Sequence, residues 1–258
     1  MISCEERSET MTCAEIGAKT SWTGARAAIR CKGAGGADLL RANEGDDSLD
    51  GGSGRDLLRG GADDDKLTAD AGDDTLSGGE GDDTLDGELD SDVIHGGPGV
   101  DRASYVTRTF RVYVTIAGAS GEDGSAEDGP AGLRDTVAAT IERIVGGQGN
   151  DTLIGNSFNN MLIGGPGADS LFGLTGNDTL LADDGIADAV IDCGDGTDLA
   201  VIDPGLDPEA GGLLRGTRWP NRAARRRDRA TSLKRWARQG SASRLPSREI
   251  AAFASSLE

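Results

Sequence analysis

The stretch Gly78-Gly79-Glu80-Gly81-Asp82-Asp83-Thr84-Leu85-Asp86 reads as Gly-Gly-x-Gly-x-Asp-x-Leu-x, and it recurs in one register. In steps of nine residues from Asp83, aspartates stand at Asp38, Asp47, Asp56, Asp65, Asp74, Asp92 and Asp101. Two residues after each lies a small or branched apolar side chain: Leu40, Leu49, Leu58, Leu67, Leu76, Leu85, Ile94 and Ala103. Eight units, from Gly33 to Ser104, follow one another without an insertion. A short fixed period of this kind forces every unit into the same local shape and stacks it on its neighbours. Glycine supplies turn conformations with positive φ that other residues reach only at a cost. The last three positions of each unit, Thr84-Leu85-Asp86 for example, are predicted to form a very short strand whose central side chain points inward. Two units then make one coil of about 18 residues, with the aliphatic side chains meeting inside as a ladder.

The period breaks over residues 105–145 and returns at Gly146–Ile154. There Asp151, Asn160, Asp169 and Asp178 carry Leu153, Leu162, Leu171 and Leu180 behind them. Asp188 and Asp198 follow at a spacing of ten, with Val190 and Ala200 expected in the aliphatic slot. Within the break, Arg111–Ile116 alternates and is β-branched, which predicts a strand. Thr136–Val145 offers Val137, Ile141, Ile144 and Val145. The expectation is an insertion that continues the stack with longer strands, since so short a segment cannot bury a core alone. The organisation is therefore 1–32, a leader or cap; 33–104, a first repeat block; 105–145, a β insertion; 146–203, a second block; and 204–258, a non-repeat tail. Residues 1–32 end in Ala27-Ala28-Ile29, either a strand capping the stack or the end of an unstructured leader.

Charge narrows the partners. The formal net charge is −19, yet from Leu213 onward 12 Lys and Arg face 3 Asp and Glu, leaving −28 on residues 1–212. So dense a polyanion repels nucleic acid and attracts cations. The tail, with Arg225-Arg226-Arg227, is expected to be helical or disordered, and to dock on the acidic array or on another anionic surface. No window approaches the apolar length of a membrane-spanning helix. Glu5, Glu6, Glu9 and Glu15, with no apolar run beside them, give no sign of a cleavable secretory signal in the first 30 residues. Of Cys4, Cys13, Cys31 and Cys193, the last is distant in sequence, and one disulfide near the N-terminus is expected.

The array suits a hard cation. Ca²⁺ takes six to eight oxygens from carboxylates and backbone carbonyls, and each turn offers both. With two units per coil, Asp38 lies above Asp56, Asp47 above Asp65, Asp56 above Asp74, Asp65 above Asp83, Asp74 above Asp92 and Asp83 above Asp101. Strands stack about 4.8 Å apart, so an ion fits between turns, and each carboxylate is expected to serve the ion above and the ion below. At millimolar calcium and a Kd of about 10⁻⁴ M, each site adds about 1.4 kcal/mol by mass action. A handful of sites therefore reaches the stability of a typical domain, about 5–15 kcal/mol, and calcium binding and folding are expected to be one event.

Residues 33–104 and 146–181 resemble the RTX (repeats-in-toxin, haemolysin-type calcium-binding) family. Gly51–Arg59, Gly78–Asp86, Gly96–Ser104, Gly146–Ile154 and Gly164–Phe172 match its glycines and aspartate. The resemblance implies an all-β, parallel β-roll (a right-handed β-solenoid), with several calcium ions held in the turns by the aspartate and backbone carbonyls, and an extracellular or cell-surface location. The candidate ligands are Asp38, Asp47, Asp56, Asp65, Asp74, Asp83, Asp92, Asp101, Asp151, Asn160, Asp169 and Asp178. In this family the roll often accompanies an enzyme or toxin domain, so an auxiliary or secretion module of a larger secreted hydrolase, toxin or adhesin is the alternative. Ala42-Asn43, Asp63, Ala69-Asp70, Glu88 and Asp90 replace glycines, and those turns are expected to bind less well. Asn160 replaces the aspartate and weakens its site.

No enzyme is expected. His95, the one histidine, falls in an outward ninth position, which removes a Ser-His-Asp triad or a His-based zinc site. The glycine-rich turns lack the Gly-Lys-Ser/Thr of a phosphate loop, and no EF-hand pattern occurs. The carboxylates recur too regularly for a single acid/base pair. A disordered acidic chain would have no use for an aliphatic residue two places after each aspartate.

Overall fold

A unit with one inward aliphatic side chain has no core until a neighbour lies against it. The computed structural model, which describes residues 11–16, 21–23, 28–116, 123–125, 134–203 and 205–208, shows how the neighbours are arranged. Every repeat strand pairs in parallel with the strand two units away: Leu40 faces Leu58 and Leu58 faces Leu76 on one wall, while Leu49 faces Leu67 and Leu67 faces Leu85 on the other. The coil therefore takes two units, as the period predicts. One wall is a 10-stranded parallel sheet from Met11–Ile16 to Leu199–Ile202; the other is a 6-stranded sheet from Ser21–Thr23 to Thr136–Val137, followed by a 4-stranded sheet from Tyr113–Thr115 to Val190–Asp192. No helix occurs among the described residues. This is a parallel β-roll.

Between the walls run Leu40, Leu49, Leu58, Leu67, Leu76, Leu85, Ile94 and Ala103, then Ile144, Leu153, Leu162, Leu171 and Leu180, all buried. Fully burying one such side chain is worth about 1.5–3 kcal/mol, and the column supplies one per unit. The strands outgrow the expected three positions where backbones also pair through the following corner: Ser48–Ser53, for instance, runs six residues. From Asn43 to Gly99 the corners of the first block are left-handed at the second and fourth positions. Gly79 (φ 131°) and Gly81 (φ 134°) meet this demand without a Cβ, and Asn43, Asp63, Asp70, Glu88 and Asp90 adopt it too, at φ between 63° and 86°. Asparagine and aspartate tolerate that region better than other residues, so the replaced glycines keep the corner shape.

Two expectations change. The insertion continues the stack, but through strands of three, two and three residues, Tyr113–Thr115, Thr136–Val137 and Arg143–Val145, rather than longer ones. It ends one piece of the second wall and starts the next, while Arg143–Val145 keeps the first wall unbroken. Its anchor is Arg108, buried, whose Nη1 donates to Glu88 Oε2 at 2.9 Å. In the second block Ile191, not Val190, faces Leu171 in the ladder. The N–H groups of Ala189 and Val190 both donate to the Asp169 carbonyl (2.8 and 3.1 Å), so one extra residue enters after Asp188 and shifts the slot. On the N-terminal side, Met11 pairs with Ile29 and Ser21 with Leu39, which carries the 18-residue coil to a point before Gly33.

The same pairing sets Cys13 opposite Cys31, and Cys193 is a buried thiol. The expected N-terminal disulfide involves side chains outside the described residues, as do the tail from 209 onward and its basic docking segment.

Candidate metal centre

The aspartate at position six precedes each strand, on the corner where one wall turns into the other. Its backbone N–H donates to the carboxylate of the aspartate one coil further on. Asp38 donates to Asp56 Oδ1 (2.7 Å), Asp47 to Asp65 (2.8 Å), Asp56 to Asp74 (2.6 Å), Asp65 to Asp83 (2.8 Å), Asp74 to Asp92 (2.9 Å) and Asp83 to Asp101 (2.9 Å). Two columns of carboxylates result, one along each edge of the roll, stacked in the order the 18-residue coil predicts. One oxygen of each pair is thereby committed to an N–H, in contrast to the expectation that both serve ions.

The other oxygen is open. Oδ2 of Asp56, Asp65, Asp74, Asp83, Asp101, Asp169, Asp178 and Asp188 is buried with no hydrogen-bond partner. In Asp56, Asp65, Asp83, Asp101, Asp169 and Asp178 it looks onto the glycine at the first position of its own unit, where a methyl group would fill the space it faces. At Gly51 an added Cβ would stand 2.8 Å from Asp56 Oδ2 and 2.8 Å from the carbonyl oxygen of Ala69, one coil further along. At Gly173 the corresponding distances are 2.6 Å to Asp178 Oδ2 and 2.5 Å to the Cys193 carbonyl. A carboxylate oxygen and a carbonyl oxygen thus converge on a small pocket of space, which glycine leaves empty. Among the described residues, no three His, Cys, Asp or Glu side chains gather to hold a metal. Donors beyond the carboxylates must be carbonyls or water. All-oxygen donors of this kind suit a hard cation and not zinc.

Burial makes the carboxylates expensive to ionise in the absence of a cation. It pushes Asp65, Asp74 and Asp188 up to about 7, and Asp83, Asp169 and Asp178 up to about 6. The N–H each one accepts works against the shift, and a neighbouring aspartate in the column adds to it. Asp56 and Asp101 are raised for the same leading reason. A buried oxygen with no partner costs about 1–3 kcal/mol, and a bound cation removes this cost together with the repulsion within the column.

All twelve predicted ligands stand in these columns, for Asp151 and Asn160 donate their N–H groups to Asp169 and Asp178 (2.8 and 2.7 Å), but the side chains of these two are held differently. Asp151 accepts the Val112 N–H at Oδ1 (2.8 Å) and the Gly147 N–H at Oδ2 (2.6 Å), while Asn160 Oδ1 accepts the Asn156 N–H (2.7 Å). Five further carboxylates extend the columns. Asp135 accepts from Asp92 (3.0 Å), Glu142 from Asp101 (2.9 Å), Asp188 from Asp169 (2.8 Å), Asp198 from Asp178 (2.8 Å) and Asp207 from Asp188 (3.0 Å). A signal for two of them was present in the insertion: Asp135 and Glu142 stand two residues before the buried Val137 and Ile144, the same interval as in the repeats.

A parallel coil edged by stacked acidic turns, many of them with an open buried carboxylate oxygen, defines a β-roll whose edges suit a hard cation. The RTX calcium-binding nonapeptide repeat matches the chain in four copies, at residues 32–67, 68–103, 139–157 and 145–180. These residues are RTX calcium-binding nonapeptide repeats. No curated protein matches the chain.

Proposed function

We propose that the protein is an extracellular calcium-binding roll, with no catalysis of its own, in which several ions occupy the two carboxylate columns and complete the fold. The observation that carries this reading is the row of buried, partnerless Oδ2 atoms of Asp56, Asp65, Asp74, Asp83 and Asp101. Each supplies a charged donor, and at Gly51, Gly60 and Gly96 a carbonyl facing Asp56, Asp65 and Asp101 supplies a neutral one. Asp169 and Asp178 offer the same open oxygen in the second block, with the Cys193 carbonyl facing Asp178 across Gly173. The N–H bonds at Oδ1 orient every carboxylate, so the open oxygen is aimed before an ion arrives. Bound calcium would supply positive charge between turns that otherwise repel. No helix among the described residues is long and apolar enough to cross a membrane, and the extracellular setting, where calcium is millimolar, is the one in which sites of Kd about 10⁻⁴–10⁻³ M fill.

Equilibrium dialysis against calcium tests the stoichiometry. Several ions per chain are expected, and Asp65→Asn, Asp74→Asn and Asp83→Asn together should lower the number. An unchanged number in the triple variant contradicts the assignment of these columns.

A further inference from the structure

The insertion of residues 105–145 departs from the nonapeptide, yet Gly96 opens onto it as the repeat glycines open onto the next coil. A methyl at Gly96 would collide with Asp101 Oδ2 on one side and with the carbonyl oxygen of Thr140 on the other. At a regular corner such as Gly60 the same two roles fall to Asp65 Oδ2 and the carbonyl oxygen of Gly78, 18 residues beyond the glycine. Thr140 has taken the place of that repeat carbonyl although the chain between is much longer. Asp101 is fully buried, its Oδ1 accepts the Asp83 N–H at 2.9 Å, and its Oδ2 has no hydrogen-bond partner. Glu142, in the insertion, holds the Asp101 N–H at 2.9 Å and so continues the column past the break.

We propose that Asp101 and the Thr140 carbonyl, across Gly96, form a site for a divalent hard cation that joins the first repeat block to the insertion. The proposal rests on the reading of the roll as calcium-binding. Its consequence reaches beyond the site. The strand Arg143–Val145 pairs with Arg102–Ser104 on one side and with Met161–Ile163 on the other. The ion therefore ties together the residues on which the second block's continuous wall is built. Losing it loosens strands that hold none of its ligands.

The test uses the full chain and calcium alone. Gly96 has no left-handed φ, so Gly96→Ala carries no φ penalty and its methyl crowds the Asp101 carboxylate and the Thr140 carbonyl, while Gly60→Ala crowds the Asp65 carboxylate and the Gly78 carbonyl at a regular corner. Calcium bound per chain is measured by equilibrium dialysis, and amide hydrogen exchange of Met161–Ile163 and Thr179–Ala182 is followed in saturating calcium. Gly96→Ala should lose one ion and speed exchange in those strands about tenfold, the factor expected when a site at ten times its Kd is emptied. Gly60→Ala should lose one ion and leave them unchanged. Asp101→Asn, which keeps the side-chain shape, should reproduce Gly96→Ala and decides the matter if the alanine variant fails to fold. Wild-type stoichiometry in Asp101→Asn overturns the site. A lost ion with unaltered exchange in the second block overturns the coupling. A wild-type chain that binds no calcium overturns the underlying reading instead.

Discussion

Asp83 and Asp151 stand at the same position of their nonapeptides, Asp83 before a strand of the 10-stranded wall and Asp151 before one of the 4-stranded sheet, and meet different surroundings. Asp83 gives one oxygen to the Asp65 N–H and keeps the other free. Asp151 spends both, on Val112 and on Gly147. The difference begins one corner earlier. Gly79, with φ 131°, turns its N–H to the Gly96 carbonyl of the next coil (3.0 Å), away from the carboxylate. Gly147 and Asn156, at the same position of their units, lack the left-handed φ and point their N–H groups at Asp151 and Asn160 instead. At Gly147 the insertion lies alongside: an added Cβ would stand 2.6 Å from the Arg108 carbonyl. An aspartate in the motif thus keeps an open oxygen only where the corner before it holds its own N–H out of the way.

The comparison breaks first at the ladder. Leu85→Ala, at the centre of the first block and fully buried, should cost about 3 kcal/mol in chemical denaturation with saturating calcium. Ile191→Ala, near the end of the second block and 7% exposed, should fall nearer 2 kcal/mol, and Val190→Ala under about 0.5 kcal/mol. A larger loss for Val190 than for Ile191 would restore the unshifted register.

A smaller effect separates the two aspartates. Asp83→Asn should lose a bound ion, and with it about 1.4 kcal/mol at ten times the site's Kd. Asp151→Asn should leave the calcium stoichiometry as it was, because its oxygens already hold N–H groups. Equal loss of calcium in both variants, measured by dialysis, would erase the distinction between the blocks.

The most graded effect is that of pH. Asp65, Asp74 and Asp188 titrate near 7 in the metal-free fold against an ordinary value of 3.8. Between those limits the folded state binds more protons than the unfolded one, so the calcium-free roll gains stability as pH falls from about 7 toward 4 and loses it as pH rises through 7. Asp151, with its two N–H bonds, should contribute less. In saturating calcium the trend should reverse, since protons compete with the ion for Oδ2. In chelator, circular dichroism should show more β signal at pH 5 than at pH 8, and in saturating calcium melts at the two pH values should run the other way; a chelated chain with more β signal at pH 8 contradicts the cause assigned to these shifts.

Much of this was written in the sequence, because a nine-residue period leaves little freedom. One aliphatic residue per unit gives the ladder from Leu40 to Ala103, and the stacking of Asp38 on Asp56 follows from two units per coil. The insertion was less legible. Asp135 and Glu142 sit outside the glycine pattern, and only the fold brings them beneath Asp92 and Asp101. The slip from Val190 to Ile191 turns on a single extra residue, invisible until the two N–H groups that share the Asp169 carbonyl are seen. The saturation of Asp151 depends on the backbone angle at Gly147, which a glycine does not reveal.

The central claim is that the open oxygens of the first block make folding wait for calcium. Far-ultraviolet circular dichroism of the chelated chain during a calcium titration, with magnesium as the control, addresses it directly. A cooperative rise of β signal at calcium concentrations between about 0.1 and 1 mM, absent with magnesium, is the predicted result. A full β signal in chelator, or none by about 10 mM calcium, would contradict it.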